Sequence, residues 1–261
     1  MKPTQPLLYS RTFSGDIWKI IPDPEFGYLA LEIRENSEKS HFYQHISLHD
    51  FSEHQRLVPA SIDWWSSLLV SWGNLLLILC YENKNNPGPG TLVLYDWVKG
   101  AELLTQPGFQ WQSMKEGVVA GKISQGVLVM DWEVDLRAYL VNEGAPPMYE
   151  IQLPVYYPGE SREHEVVRTF LKNKGVDVVF GSEYLEIGHN IVVSYTAIND
   201  QKRDHCLLWL FRGETIHLEV LQQDVSGEGM GSFMVVGTAL VLIKEKKTIK
   251  AYQIDVSGHQ L

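Results

Sequence analysis

Every apolar run in this chain falls far short of the ~18 to 20 residues that span a bilayer, and that shortness constrains the fold more than any other feature. The longest, Leu75 to Tyr81, has seven residues. Runs rich in Val, Leu, Tyr and Trp instead give way every 8 to 12 residues or so to Gly, Asn, Asp or Pro, the pattern of sandwiches, barrels and propellers. The class is all-β. Candidate strands fall at 28–34, 42–48, 68–72, 75–81, 92–98, 127–132, 136–141, 191–197, 206–211, 233–236, 239–243 and 248–254. Gly73-Asn74 and Gly237-Thr238 each separate two apolar runs, where glycine supplies the positive φ of a short hairpin. At 261 residues, with 44% hydrophobic, 21 Gly and 12 Pro, the chain has the composition of a globular protein and is read as a single domain, 1–261.

Self-similarity refines that class. An aromatic residue follows an acid or apolar residue by two positions in Asp16-Ile-Trp18, Asp63-Trp64-Trp65 and Phe109-Gln-Trp111, and the steps between the Trp anchors are nearly equal. A second series runs apolar, any residue, apolar, then a polar turn: Ile46 to Leu48, Tyr95 to Trp97, Tyr139 to Val141, Trp209 to Phe211 and Tyr252 to Ile254. A period of about 45 residues holding four short strands matches one propeller blade, and five such units fit. The step from Tyr139 to Trp209 is too long by about 25 residues. Ser161-Arg-Glu-His-Glu opens like a capped helix there, Val166, Val167, Phe170 and Leu171 follow at helical spacing, and Gly175 closes it. One inserted helix near 162–173 accounts for the excess, although VVRTFL would also serve as a strand. The last unit stops after its third strand, and the N-terminal segment 7–13 is expected to supply the fourth.

In this respect the chain resembles the five-bladed β-propeller superfold, without the Trp-Asp, Gly-His or kelch signatures of the named repeat families. The segments GDIWKI, YLALEIR, DWWSSLL and SEYLEIGHNIVVSY also resemble a bacterial domain-of-unknown-function family of similar length, a resemblance that implies no activity. Two packed sheets without a central channel are the competing architecture, since the uneven step permits them.

Charge and cysteine content narrow the partners. Asp plus Glu 32 against Lys plus Arg 22 leaves a net charge of −10, which opposes binding to phosphate backbones and anionic lipid. Neither nucleic acid nor membrane is expected. The opening MKPTQPLLYSRTFSGDIW shows no signal-peptide pattern, so a cytoplasmic location is expected. Cys80 and Cys206 lie in apolar runs without a C-x-x-C partner and read as buried free thiols.

Candidate chemistry is sparse. Asp16, Asp63 and Glu116, from successive units, would meet at one mouth of a propeller, where two acids at the right separation could cleave a glycosidic bond. Turn-capping is the competing role for such acids. Asp131, Glu133 and Asp135 alternate along a strand end and so share a face that could gather a Ca²⁺, but three carboxylates are too few and a solvated hairpin is the expected role. His41, His45 and His49 are read as a solvated or inter-blade strand face, because strand positions four apart are about 13 Å distant and cannot share one Zn²⁺. Gly227-Glu-Gly229-Met-Gly231 leads into a strand instead of a helix and lacks the dipole that binds phosphate. Trp18, Trp65, Trp111 and Trp209 are assigned to packing. Trp64, opposite in direction to Trp65, is the ligand-binding candidate, and Trp72 is left out of the packing set.

The expectation is therefore a binding or scaffold protein that presents loops at a channel mouth to a protein or small-molecule partner, with no cofactor. A carbohydrate-active hydrolase using the mouth acids is the alternative.

Overall fold

The computed structural model describes residues 5–54, 56–59, 62–81, 88–140, 148–199, 202–226 and 231–256. In chain order the strands are β1 (Leu7–Thr12), β2 (Asp16–Asp23), β3 (Tyr28–Glu35), β4 (Ser40–Ser47), β5 (Ser66–Trp72), β6 (Leu75–Tyr81), β7 (Gly90–Asp96), β8 (Ala101–Lys115), β9 (Val118–Gln125) and β10 (Leu128–Asp135). A 3-10 helix, Leu136–Tyr139, precedes β11 (Ile151–Gln152), β12 (Val155–Tyr157) and helix α1 (Arg162–Lys172). Then come β13 (Val178–Ile187), β14 (Asn190–Asn199), β15 (Lys202–Phe211), β16 (Glu214–Gln222), β17 (Phe233–Val236), β18 (Ala239–Lys244) and β19 (Thr248–Gln253). Among the described residues the fold is all-β apart from α1 and the 3-10 helix, and none of the four sheets closes on itself.

The chain divides into two compact units, Ser14–Tyr149 and a second made of Met1–Phe13 with Glu150–Leu261. In the first, β2, β3 and β4 form an antiparallel meander, and β5 to β10 form one six-stranded sheet. That sheet is two meanders sharing β8, whose early residues pair with β7 and whose later residues pair with β9. Gly108, at φ 67°, sits where the strand changes partner, and a Cβ there would strike the Ser124 carbonyl. In the second unit the sheets run β12-β13-β14-β15-β16 and β1-β19-β18-β17-β11.

The amino-terminal strand behaves as the sequence predicts. β1 lies antiparallel to β19, with Thr12 opposite Thr248 and their hydroxyls 2.8 Å apart. The expected hairpins also form: Gly73 (φ 59°) and Gly237 (φ 56°) open two-residue loops between β5 and β6 and between β17 and β18. Ser161 caps α1 by accepting the His164 N–H at 3.1 Å, and Val167 and Leu171 turn inward against Val178, Val193 and Tyr195.

Four of the five apolar-x-apolar anchors end the third strand of a meander, at β4, β7, β15 and β19. The exception corrects an expected strand. Residues 136–140 form the 3-10 helix and its C-cap, because the Asp135 carboxylate accepts the Arg137 N–H, while fully buried Leu136 donates its own N–H to Gly117. Residue 141 lies outside the described residues.

The four tryptophans assigned to packing do not occupy equivalent sites: Trp18 and Trp111 lie in β2 and β8, Trp65 just before β5, and Trp209 in β15. Trp209 is fully buried and donates its Nε1 hydrogen to Asn190 Oδ1 at 2.9 Å. Trp111 is half-buried against the core around Phe109 and Val119. Trp18 is instead 58% exposed and Trp65 39% exposed. The cause at Trp18 is a β-bulge: Ile17 pairs with Ile33 and Lys19 with Glu32, so Trp18 is the extra residue turned out of the ladder.

Candidate functional site

The site of most chemical interest in the first unit begins with a buried carboxylate. Glu32 in β3 is fully buried, accepting the Arg34 Nε hydrogen at 2.7 Å and the Leu68 N–H at 2.8 Å. Arg34 also donates to the Ser66 carbonyl at 2.5 Å. Lys19 reaches across from β2 to Ser67 Oγ (2.7 Å) and the Leu68 carbonyl (3.0 Å). Burial pulls the Lys19 ammonium below the usual lysine range, and the Glu32 charge opposes that shift. Buried charges demand such pairing, and the network fixes the Arg34 guanidinium in one orientation.

Two indole rings use that fixed cation. Trp18 lies 4.5 Å from the guanidinium carbon and Trp64 5.3 Å, both within cation–π range. Lys39, in the turn after β3 at φ 52°, places its ammonium 5.1 Å from the Trp64 ring. The result is an array running Trp18, Arg34, Trp64, Lys39. Beside it, Asp16 stands opposite Arg34 in the β2–β3 register and accepts from Asn36 Nδ2 at 3.2 Å. Glu35, bridged by the Ser14 and Ser40 hydroxyls, is held below the usual carboxylate range by those hydrogen bonds.

Of the residues singled out from sequence, Asp16, Asp63 and Trp64 reach this one strand end. Asp63 acts there as a turn cap, accepting the Trp65 N–H at 2.9 Å as the chain enters β5. Glu116 does not join them. It occupies the β8–β9 hairpin with φ 50°, followed by Gly117 at φ 78°, and its solvent-exposed carboxylate is 3.9 Å from Lys115. A Cβ on Gly117 would meet the ring of Trp72, the last residue of β5, whereas Asp63 precedes the first. A seven-residue strand spans roughly 20 Å, so Glu116 lies at the opposite end of the sheet.

Asp131, Glu133 and Asp135 share the outer face of edge strand β10, where Asp131 stands opposite Lys122. Asp135 is held by Arg137 through two bonds of 2.8 and 2.9 Å. Among the described residues no group of three His, Cys, Asp or Glu side chains is placed to hold a metal ion.

Of the two histidine settings expected, the solvated one holds for His49, beyond β4, whereas His41 and His45 are buried. β4 is covered on both faces, and His45 stacks on Trp97 with ring centres 4.3 Å apart. Trp72 is buried, donating its Nε1 hydrogen to Glu25 at 2.7 Å. Both cysteines are free thiols, Cys206 buried and Cys80 half-buried, and burial pushes each up to about 11. Residues 227–230 of the glycine-rich loop lie outside the described residues, while the Gly231 N–H donates to the buried Glu183 carboxylate at 2.5 Å.

No protein-family model and no curated protein matches this chain. Among solved structures it is similar to the β-propeller domain of Cps50 (Swd1) from Myceliophteria thermophila, at 8% identity and TM-score 0.38, over 97% of this chain and 100% of that one. It is also similar to a eukaryotic initiation factor (10%, TM-score 0.31, 96% of this chain and 55% of that). A prolyl endopeptidase aligns at 9% identity and TM-score 0.33, over 97% of this chain and 36% of that one. At such scores these likenesses bear on neither activity nor partner.

Reading the sequence misses Lys19, Glu32, Arg34 and Lys39 of this site, and it assigns Trp18, here an exposed ring, to packing. The signal for Arg34 was a charged Glu-x-Arg pair inside the otherwise apolar YLALEIRE. Chemically, the array offers one exposed ring, a second partly covered ring and hydrogen-bonding acids at its border. Such a surface holds flat or apolar faces by stacking while neighbouring polar groups orient them.

Proposed function

We propose that this protein is a binding or scaffold protein of five-bladed propeller-like design, acting in the cytoplasm on a protein or small-molecule partner. The observation that carries the reading is the Trp18–Arg34–Trp64–Lys39 array, in which an exposed indole is held by a cation that is itself pinned from beneath by Glu32. Rigid, pre-positioned aromatic and arginine groups are what binding hot spots are made of. The arrangement of strands into successive meanders and the β1–β19 pairing support the propeller-like part of the reading. The hydrolase alternative loses Glu116 by distance and leaves Asp63 occupied as a turn cap.

A thermal-shift screen of glycans and metabolites on wild type, Trp18→Ala and Asp63→Ala tests this. Ligands that stabilise wild type should bind Trp18→Ala about fivefold or more weakly, since a stacked ring contributes roughly 1–3 kcal/mol. Equal shifts in wild type and Trp18→Ala would reject the array as the binding surface.

A further inference from the structure

A second site lies in the other unit, where helix α1 meets the start of β13. A cavity of about 310 Å³ opens there, with Arg168 of α1 and Arg203 of β15 on its wall. Two arginines from different elements converging on one cavity are notable in a chain with net charge −10, because nothing in the overall composition favours it. The rest of the lining is apolar or backbone: Val178, Val179, Phe180 and Gly159, with the buried His164 of α1.

The backbone here is specially built. Phe180 has φ 64°, a left-handed conformation that a bulky aromatic residue rarely adopts. It falls in a β-bulge, since Val179 pairs with Thr196 and the ladder resumes only at Ser182 with Tyr195. Two glycines make the bulge possible. A Cβ on Gly159 would lie 3.1 Å from the Phe180 carbonyl carbon, and one on Gly181 would lie 2.6 Å from the Tyr157 carbonyl oxygen. Backbone outliers of this kind cluster at ligand sites, because the surrounding structure must hold them against strain. The bulge sets the Phe180 ring 4.9 Å from the Arg203 guanidinium.

We infer that this cavity binds a small organic anion, a phosphate monoester or carboxylate carried on an apolar body. The anionic group sits between Arg168 and Arg203, which match it with charge-assisted, bidentate hydrogen bonds, and the apolar body rests on Val178, Val179 and the Phe180 ring. The volume is at the small end for ligand cavities, which limits the occupant to a single ring or a short chain. Arg168 also touches Glu165 at 3.5 Å, but both side chains are about half exposed and such a pair is weak, so an incoming anion displaces it.

Calorimetric titration of the full chain with phenyl phosphate, benzoate, inorganic phosphate and benzyl alcohol tests the inference. Saturable binding is expected for phenyl phosphate or benzoate, and whichever binds more tightly identifies the anionic group. Arg168→Gln/Arg203→Gln should weaken that binding at least tenfold, while Arg168→Lys/Arg203→Lys, keeping charge without the planar fork, should fall between. Trp18→Ala, in the other unit, should leave it unchanged, which separates this site from the array. No saturable binding of either organic anion up to about 10 mM, or equal affinity in the double Gln variant, overturns the site. Equally tight binding of benzyl alcohol or of inorganic phosphate overturns the ligand class. Arg203 is exposed and Arg168 half-exposed, so the Gln variants are expected to unfold at the wild-type temperature, and a lowered value would transfer the loss to folding and reject the assignment.

Discussion

His45 shows how far a single buried group sets the acid behaviour of this protein. Its ring lies flat on Trp97 at 18° between planes and stands 3.3 Å from Ser71 Oγ, with Tyr28 and His54 around it. Burial pulls the imidazole down to about 3, so it stays neutral in the fold across a range where the unfolded chain takes up a proton. The stability this contributes is complete above the unfolded value near 6.5 and is lost as pH falls from there toward 3, at up to about 1.4 kcal/mol per pH unit. Asp23 works the other way. Burial pushes its carboxyl up to about 6 despite N–H donors from Gly73 and Phe26, so its contribution declines as pH rises from about 4 to 6. Urea unfolding at several pH values should show His45→Phe with a shallower acid slope than wild type; parallel slopes would mean that His45 is charged within the fold. Glu219 is a third case. Burial opposes its ionisation, yet hydrogen bonds from His217, Lys250 and Lys244 hold it well below the usual carboxylate range, tying β16 to β18 and β19.

At the scale of elements, α1 depends on its first turn. Eleven residues are too few for a helix to stand in water without help, so the Ser161 cap and the buried Val167 and Leu171 carry it. Ser161→Ala should cost about 1 kcal/mol in chemical denaturation, and a loss near zero would show that packing alone suffices. This helix was legible because cap, spacing and closing glycine are all local signals. Several strand ends were legible for a similar reason, since apolar pairs before polar turns mark them, whereas the expected unit held four strands and the sheets hold three, five, five and six. The bulges were not. Trp18 looks like any strand aromatic until the extra residue reverses its direction, because a bulge changes which face a side chain takes without changing composition. β8 was not legible for another reason: the strand continues through Pro107-Gly108 and trades one neighbour for another. The site around Arg34 was half visible. Asp16, Asp63 and Trp64 stood out by spacing, while the buried Glu32 that organises them could not be told from an exposed strand acid.

For the whole molecule, the pairing of β1 with β19 has the widest reach. Removing residues 1–12 would leave β19 with an open row of backbone donors and acceptors, a template for association. Because β1 itself is mostly exposed, little core is lost. The expected outcome is a melting temperature lower by about 5–10 °C together with soluble oligomers on size-exclusion chromatography; a monomer that melts like wild type would show the strand to be dispensable. The same contact also governs biosynthesis. Thr12 and Thr248 are 236 residues apart in the chain, and translation at roughly 5–20 residues per second separates their emergence by on the order of 10 to 50 s. For that interval the first strand lacks its partner, so this sheet is finished only once β19 has been made, whatever the speed of folding elsewhere.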